Sequence, residues 1–323
     1  MIRLIDNTLT GFDDKLPSKE ELEYFCELLF TIGVDAIEIS TSVYERLGEL
    51  KVKGNYVLQV DYLEDVEKYP GFYRYTCHID KNIDKVIPDI QINDVREVIK
   101  LRTLSHCNEV RIIGLDNLMC ESYDKVMEDM KRTLNKTRIN FYPENTFHCA
   151  SALAVQWLLK YGSDVTTSFA GMKNNGATEE VLLALRIAIR HKPNKDLSVL
   201  PKLLHLYEKL TGNLVGNKKP VIGRNIFKVE SGIHADGIIK NPANYEAYEP
   251  EWVGGKSEIV IGKHSGTRAI KLKLQEINQC IPNDSLIERI LLEVKEVCTK
   301  NRSSLNEGEF IRIAGEVIAN EGV

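Results

Sequence analysis

The chain has 323 residues, 43% hydrophobic and 28% charged, the balance of an ordinary globular protein that can bury a full core, and long enough for a barrel-sized domain plus a smaller one. A formal net charge of -5 leaves no basic footprint for a phosphate backbone or an anionic membrane, so neither nucleic acid nor a lipid surface is an expected partner. No stretch stays apolar for the ~18 residues a membrane helix needs, and the run from Met1 to Asp6 reads as a strand, not a signal peptide, so the expected location is the cytoplasm.

The first half alternates short β-branched runs with helical ones, the order that implies parallel strands joined by helical crossovers. Residues 2–9 are the first predicted strand. Ser18-x-x-Glu21 is a capping box, after which Leu22, Phe25, Cys26 and Leu29 recur at helical spacing until Gly33 ends the helix. Further predicted strands lie at 35–40, 56–60, 73–78, 109–115, 138–142 and 164–170. That makes seven, and a closed parallel barrel needs eight. Either one strand lacks a clear pattern, with residues 61–102 the place to look for it, or the barrel is eroded.

Helices are predicted at 179–190 and around 197–210, and then Gly212, Gly216 and the Asn217-Lys218-Lys219-Pro220 turn mark a boundary. The second part closes with a helix in which Ile287, Ile290, Leu291, Val294, Val297 and Cys298 line one face. The expected fold is therefore α/β: a (β/α)8 TIM barrel over residues 1–211, then a small α+β subdomain with a C-terminal helical segment over 212–323. Seven cysteines without a CxxC pair argue against a disulfide framework or a zinc knuckle. Cys26 and Cys298 fall on apolar helix faces, where a thiol packs as a small hydrophobe.

The most specific text lies in the second part. It runs Val229-Glu230-Ser231-Gly232-Ile233-His234-Ala235-Asp236-Gly237-Ile238-Ile239-Lys240, then Asn244-Tyr245-Glu246-Ala247-Tyr248-Glu249-Pro250-Glu251, then Val260-Ile261-Gly262-Lys263-His264-Ser265-Gly266. These three ordered blocks resemble the linker subdomain of the homocitrate synthase / isopropylmalate synthase family. The run Gly33-Val34-Asp35-Ala36-Ile37-Glu38 looks like that family's second strand, which makes Glu38 a candidate substrate contact.

The resemblance implies a (β/α)8 barrel that binds a divalent metal and a 2-oxo acid, with the linker subdomain of one chain reaching over the barrel mouth of its partner. It implies a Claisen-type condensation: acetyl-CoA loses a methyl proton, the enolate attacks the oxo carbon, and thioester hydrolysis releases CoA. Such chemistry needs a Lewis acid, cations for the carboxylates and a base poised for a weakly acidic C–H.

Against that pattern the barrel departs three times. The family's first strand ends in Asp-x-Thr-Leu-Arg-Asp-Gly, with the arginine facing the oxo acid and the next acid on the metal. Here Asp6-Asn7-Thr8-Leu9 is followed by Thr10, Gly11 and Phe12, and no arginine occurs between Arg3 and Arg46. Asp13 and Asp14 read as surface-turn acids, with metal ligation the alternative. The family's late strand carries His-x-His or His-x-Asn before a Gly-x-Gly-Glu-Arg loop, whereas residues 164–176 hold no histidine and Asn174-Asn175 replaces Glu-Arg. The preceding His-x-His-Asn-Asp stretch aligns with Pro143-Glu144-Asn145-Thr146-Phe147, and His148 reads as a helix-start residue. No metal site is expected on this chain, and no cofactor; the resemblance places a divalent metal in an active partner.

The linker blocks keep the family's pattern where the barrel does not. By the resemblance His234 assists proton transfer, with Glu230 four residues earlier to set its tautomer, and either Tyr245 or Tyr248 supplies a phenol. Lys263 and Ser265, in a glycine-flexed turn with Ser265 as N-cap, are candidate contacts for the phosphates of CoA, with a purely structural turn the alternative. The expected function is thus one subunit of a homocitrate synthase-type acyltransferase acting on acetyl-CoA and 2-oxoglutarate for nitrogenase cofactor assembly. A paralogous, metal-competent chain would form a hetero-oligomer with it, an arrangement similar to the split clostridial homocitrate synthases. Two alternatives stay open: a self-sufficient acyltransferase with a rebuilt site, and a non-catalytic regulator of a family enzyme.

Overall fold

A computed structural model describes residues 2–115, 118 and 122–320. Eight parallel strands close into a barrel in chain order: β1 (Arg3–Asp6), β2 (Ala36–Ser40), β3 (Asn55–Gln59), β4 (Arg74–Cys77), β5 (Val86–Ile92), β6 (Glu109–Gly114), β7 (Arg138–Pro143) and β8 (Asp164–Thr167). β8 returns to β1 with Arg3 opposite Asp164 and Asp6 opposite Thr167. The barrel is complete, and the strand without a clear pattern is β5, inside the 61–102 stretch.

Its concealment has a physical cause. Pro88 lacks the N–H a central strand normally donates, yet pairing with β4 stops at Cys77 opposite Pro88 and pairing with β6 begins at Asp89 opposite Arg111. The proline sits at that handover, and Asp89 and Gln91 interrupt the β-branched run.

The first and last strands are shorter than expected. β1 ends at Asp6 because its carboxylate accepts the Thr8 N–H at 3.0 Å, which starts a 3-10 turn over Thr8–Gly11. After β8 a second 3-10 turn spans Phe169–Asn174, with Ala170, Gly171 and Lys173 all at positive φ. The helices that clothe the barrel are α1 (Lys19–Ile32), α2 (Thr41–Leu47), α3 (Glu64–Lys68), α4 (Tyr123–Thr133), α5 (Ala150–Gln156), α6 (Thr178–Ile189) and α7 (Leu200–Thr211), the last entered through a 3-10 turn at Leu197–Val199.

In α1 the capping box is formed as read, and Gly33 ends the helix at φ 110°, where a side chain would be strained. Its apolar stripe is buried, and Phe25 meets Phe12 and Phe169 edge to face at 5.8 and 6.4 Å. Truncating such a ring to alanine costs about 3–5 kcal/mol. At the strand starts the barrel is closed by charge: Arg3 pairs with Asp164 and Glu109, and Arg138 forks onto Asp164 at 2.7 and 2.8 Å. Conserving rigidity at that end leaves the opposite rim for ligands.

The chain divides into two compact units, Met1–Ile222 and Gly223–Val323. Residues past α7 stay with the barrel because the Val215 N–H reaches Glu208 at 2.8 Å and Lys219 pairs with Glu180 at 2.6 Å. The second unit has a two-stranded parallel ribbon, β9 (Lys228–Val229) with β10 (Glu258–Ile259), and helices α8 (Gly232–Lys240), α9 (Thr267–Glu276), α10 (Asp284–Asn301) and α11 (Glu307–Ala319). The expected closing helix is α10, which buries Ile287, Ile290, Val294 and Cys298. The chain continues into α11, started by a capping box between Asn306 and Glu309 and packed in the same core through Phe310 and Ile313. Cys26 and Cys298 are buried free thiols; Cys120 lies outside the described residues. Among the described residues no helix is long and apolar enough to cross a membrane.

Candidate functional site at the barrel mouth and on the second unit

Alternation along the strands aims a polar set into the C-terminal half of the barrel. Arg111, fully buried on β6, forks onto Asp89 of β5 at 2.9 and 2.5 Å and reaches Glu38 of β2 at 2.5 Å. Glu38 also accepts the Thr76 hydroxyl at 2.5 Å. Burial works against the guanidinium's charge, but Asp89 and Glu38 outweigh it and hold Arg111 protonated well above the usual arginine range. Burial pushes Asp89 up to about 6, with Arg111 pulling the other way. Glu38, the candidate substrate contact, is therefore spent inside the barrel on Arg111 and Thr76.

Next to this cluster, Tyr142 accepts from the side-chain amides of Asn7 and Asn175, the latter at 2.5 Å, and lies under the Arg111 guanidinium at 5.3 Å. Burial raises the phenol to about 12. Asp6 is buried and pushed up to about 6 by that burial, offset by hydrogen bonds from Thr178 and Thr8. Asp13 and Asp14 are exposed, and Asp13 accepts the Ser40 hydroxyl at 2.5 Å.

This donor set does not fit a first-row divalent metal. Asp6, Glu38 and Asp89 already serve hydroxyls, an amide or the guanidinium, and His78, whose charge reaches Asp89, completes no metal-binding group with them among the described residues. Among the described residues of this cluster, the amide Oδ1 of Asn7 is the buried oxygen left without a partner, a single neutral donor. Among the described residues no group of three or more His, Cys, Asp and Glu side chains could hold a metal ion. His148 is exposed and just precedes α5 at a positive φ of 58°.

The sequence reading missed two cations here. Arg111 sits in an unremarkable β-branched run, and only strand pairing brings Asp89 and Glu38 to it. Lys173, from the turn after β8, donates to the Thr10 carbonyl at 2.7 Å and hydroxyl at 3.0 Å, so a positive charge does stand over the end of β1. The side chain as a whole is exposed, but enclosure of its ammonium end lowers its pKa below the usual lysine value. The turn carrying it is strained and is pinned by the Ala170 N–H donating to buried Glu179 at 2.9 Å. Burial pushes Glu179 up to about 7, and its other oxygen has no hydrogen-bond partner among the described residues.

In the second unit His234 lies exposed in the first turn of α8, its ring 5.8 Å from that of Tyr245. Tyr245 lies across the helix: a Cβ at Gly237 would stand 2.2 Å from its ring, so a side chain there would push the ring aside. Tyr248 instead packs edge to face on Phe227 at 5.7 Å, and burial raises its pKa. Of the two tyrosines, the structure brings Tyr245 to the histidine.

Glu230 is not placed to set the tautomer of His234. Its carboxylate accepts the His264 N–H at 2.7 Å, because the 261–265 turn folds back over it. Ser265 does not cap α9: it is buried, accepts the Gly262 N–H at 3.0 Å and donates to the Glu230 carbonyl at 3.1 Å, while Gly266 takes the N-cap position. Ser265 is thus a brace of the turn, and Lys263 is left exposed beside it.

The fold and site define a (β/α)8-barrel protein with a self-paired polar rim and a separate small α+β unit that displays His234 beside Tyr245. Residues 221–302 match the family described as "Homocitrate synthase post-HMGL domain-like". The chain is 30% identical to the "Homocitrate synthase, omega subunit" of Clostridium pasteurianum over 338 aligned positions, 97% of this chain and 95% of that protein. It is 36% identical to homocitrate synthase AksA of Methanothermobacter thermautotrophicus over 200 positions, 61% of this chain and 50% of that protein. Hydroxymethylglutaryl-CoA lyase from Pseudomonas aeruginosa shares the fold with a TM-score of 0.54 at 16% identity, over 67% of this chain and 94% of that one. The chain belongs to the homocitrate synthase / isopropylmalate synthase family.

Proposed function

We propose that this chain is one subunit of a cytoplasmic homocitrate synthase-type acyltransferase that condenses acetyl-CoA with 2-oxoglutarate, serving nitrogenase cofactor assembly. A paralogous, metal-competent chain holds the divalent metal and the oxo acid, and this chain lends His234, with Tyr245 beside it, to that partner's barrel. The observation that carries the reading is the contrast between an exposed His234–Tyr245 pair and a barrel mouth whose Glu38, Asp89 and Arg111 are committed to one another. A full-length relative named as an omega subunit supports the division of labour.

In this reading the imidazole exchanges the methyl proton of the acetyl thioester and the neighbouring phenol stabilises charge on the oxygens, general acid–base work worth ~10²–10⁴-fold. A second reading, a self-sufficient enzyme with a rebuilt site, draws on Lys173 standing where a cation would meet an oxo acid. Thiol release from acetyl-CoA plus 2-oxoglutarate, measured for this chain, for its co-expressed paralogue and for the mixture, separates the two. The subunit reading expects turnover from the mixture and none from this chain alone. Equal turnover by the isolated chain would overturn it.

A further inference from the structure

The turn Phe169–Asn174 joins β8 to α6 across the C-terminal rim of the barrel. Its two feet are pinned together: the Ser168 N–H donates to the Gly176 carbonyl at 3.0 Å, and the Ser168 carbonyl accepts the Thr178 N–H at 3.0 Å. Between the feet Ala170 (φ 57°), Lys173 (φ 57°) and Asn174 (φ 60°) sit in the left-handed region, which is unfavourable for residues with a side chain and persists only where the surroundings impose it. Side chains impose it here. The Ala170 N–H donates to Glu179 at 2.9 Å, the Ser168 hydroxyl donates to the Met172 carbonyl at 2.6 Å, and the Lys173 ammonium donates to the Thr10 carbonyl at 2.7 Å.

Glu179 is the weak member of that set. It is fully buried, one oxygen accepts the Ala170 N–H, and the other has no hydrogen-bond partner among the described residues. A neutral carboxylic acid tolerates such enclosure, whereas a carboxylate stripped of water needs both oxygens satisfied. The charged and titratable groups that face it are Glu180 beside it on α6, Lys219 from the segment after α7, and the Tyr207 phenol of α7. Lys219 favours the ion, but it is already paired with Glu180 at 2.6 Å, so the two together add little net charge. Asp6 meets the base of the turn from β1: it accepts from Thr8 and Thr178, and the Thr8 hydroxyl accepts the Phe169 N–H at 2.7 Å.

We propose that the Phe169–Asn174 turn is a pH-sensitive latch on the barrel mouth, closed while Glu179 carries a proton and opening as Glu179 ionises, which lets water reach the carboxylate and lifts Lys173 off Thr10. Burial raises Glu179 in the closed turn to about 7, and a hydrated glutamate lies at about 4.3. The open form therefore gives up its proton more readily and gains population as pH rises between those values. Opening uncovers the ends of β8 and β1, so the latch gates the barrel whichever chain supplies the catalytic histidine.

Hydrogen exchange of the full chain, followed by mass spectrometry at pH 6 and pH 8 and corrected for the intrinsic rate of each amide, reads the opening. Protection of the 169–175 segment is expected to fall about 10-fold between the two pH values, while that of α10 in the other unit is unchanged. Glu179→Gln keeps an acceptor for the Ala170 N–H and cannot ionise, so it is expected to hold the protection at both. Lys219→Met, at a half-buried site, removes the cation that favours the ion and is expected to enlarge the ratio. A ratio of one in the parent chain overturns the proposal, and so does a ratio unaltered by Lys219→Met. A 10-fold ratio that persists in Glu179→Gln also overturns it and assigns the response to Asp6.

Discussion

The barrel mouth and the exposed face of the second unit handle polar groups in opposite ways. At the mouth, Arg111 is buried between Asp89 and Glu38, and Tyr142 between Asn7 and Asn175. In the second unit His234 and Tyr245 stand in the open with no side-chain hydrogen bond among the described residues. Buried charges survive only when paired, and a group committed to a structural partner is costly to recruit for chemistry. An exposed imidazole beside a phenol is available to whatever covers it. The difference teaches that similarity to a catalytic family and possession of a free catalytic group are separate properties, carried here by separate parts of one chain.

The largest effect that can break this comparison comes from the buried cluster. Arg111→Met leaves Glu38 and Asp89 inside the barrel without their cation and is expected to cost about 3–5 kcal/mol in urea unfolding. Adding Glu38→Gln and Asp89→Asn should return much of that loss, because neutral replacements of a buried ion cluster are often tolerated. His234→Ala should stay within about 0.5 kcal/mol, as an exposed side chain does. If the two single variants are equally harmless, the mouth is not the braced region described.

The next effect is on pH. Burial raises Asp6 to about 6 and Glu179 to about 7, above their values of about 4 in an unfolded chain. The folded state therefore binds these protons more tightly, and stability falls as pH rises from about 4 through the folded values. The urea midpoint is expected to be higher at pH 5.5 than at pH 7.5, and Glu179→Gln should flatten the slope. A midpoint that climbs toward pH 7.5, unaffected by Glu179→Gln, would contradict the burial argument.

The smallest effect sharpens the second region. Tyr245→Phe is expected to lower thiol release by the assembled enzyme about 10-fold, equivalent to about 1.4 kcal/mol of barrier. Tyr248→Phe, whose ring serves Phe227, should change it less than twofold. The reverse ranking would reassign the phenol.

Much of this was legible from local sequence. Hydrophobic period, the Ser18 capping box and the Gly33 stop located α1, and β-branched runs located seven of the eight strands. Proline and acids hid β5, since local pattern cannot tell that Pro88 falls where its missing donor is not needed. The capping box at Asn306 was readable, but Gly308 and Gly315 weaken the helical signal of α11. The site was legible only as a motif. His234 came from its block, whereas the partners of Glu230, Glu38 and Arg111 lie 22 to 73 positions away and are fixed by tertiary pairing. Tyr245 and Tyr248 are alike in sequence, and only the gap at Gly237 separates them.

The most direct measurement is turnover of the reconstituted assembly with His234→Ala in this chain and an unaltered metal-competent paralogue, alongside its size by light scattering. The account predicts an assembly of unchanged size whose thiol release falls at least 100-fold. Unchanged turnover in an intact assembly would mean that this chain braces or regulates its partner and does no chemistry there.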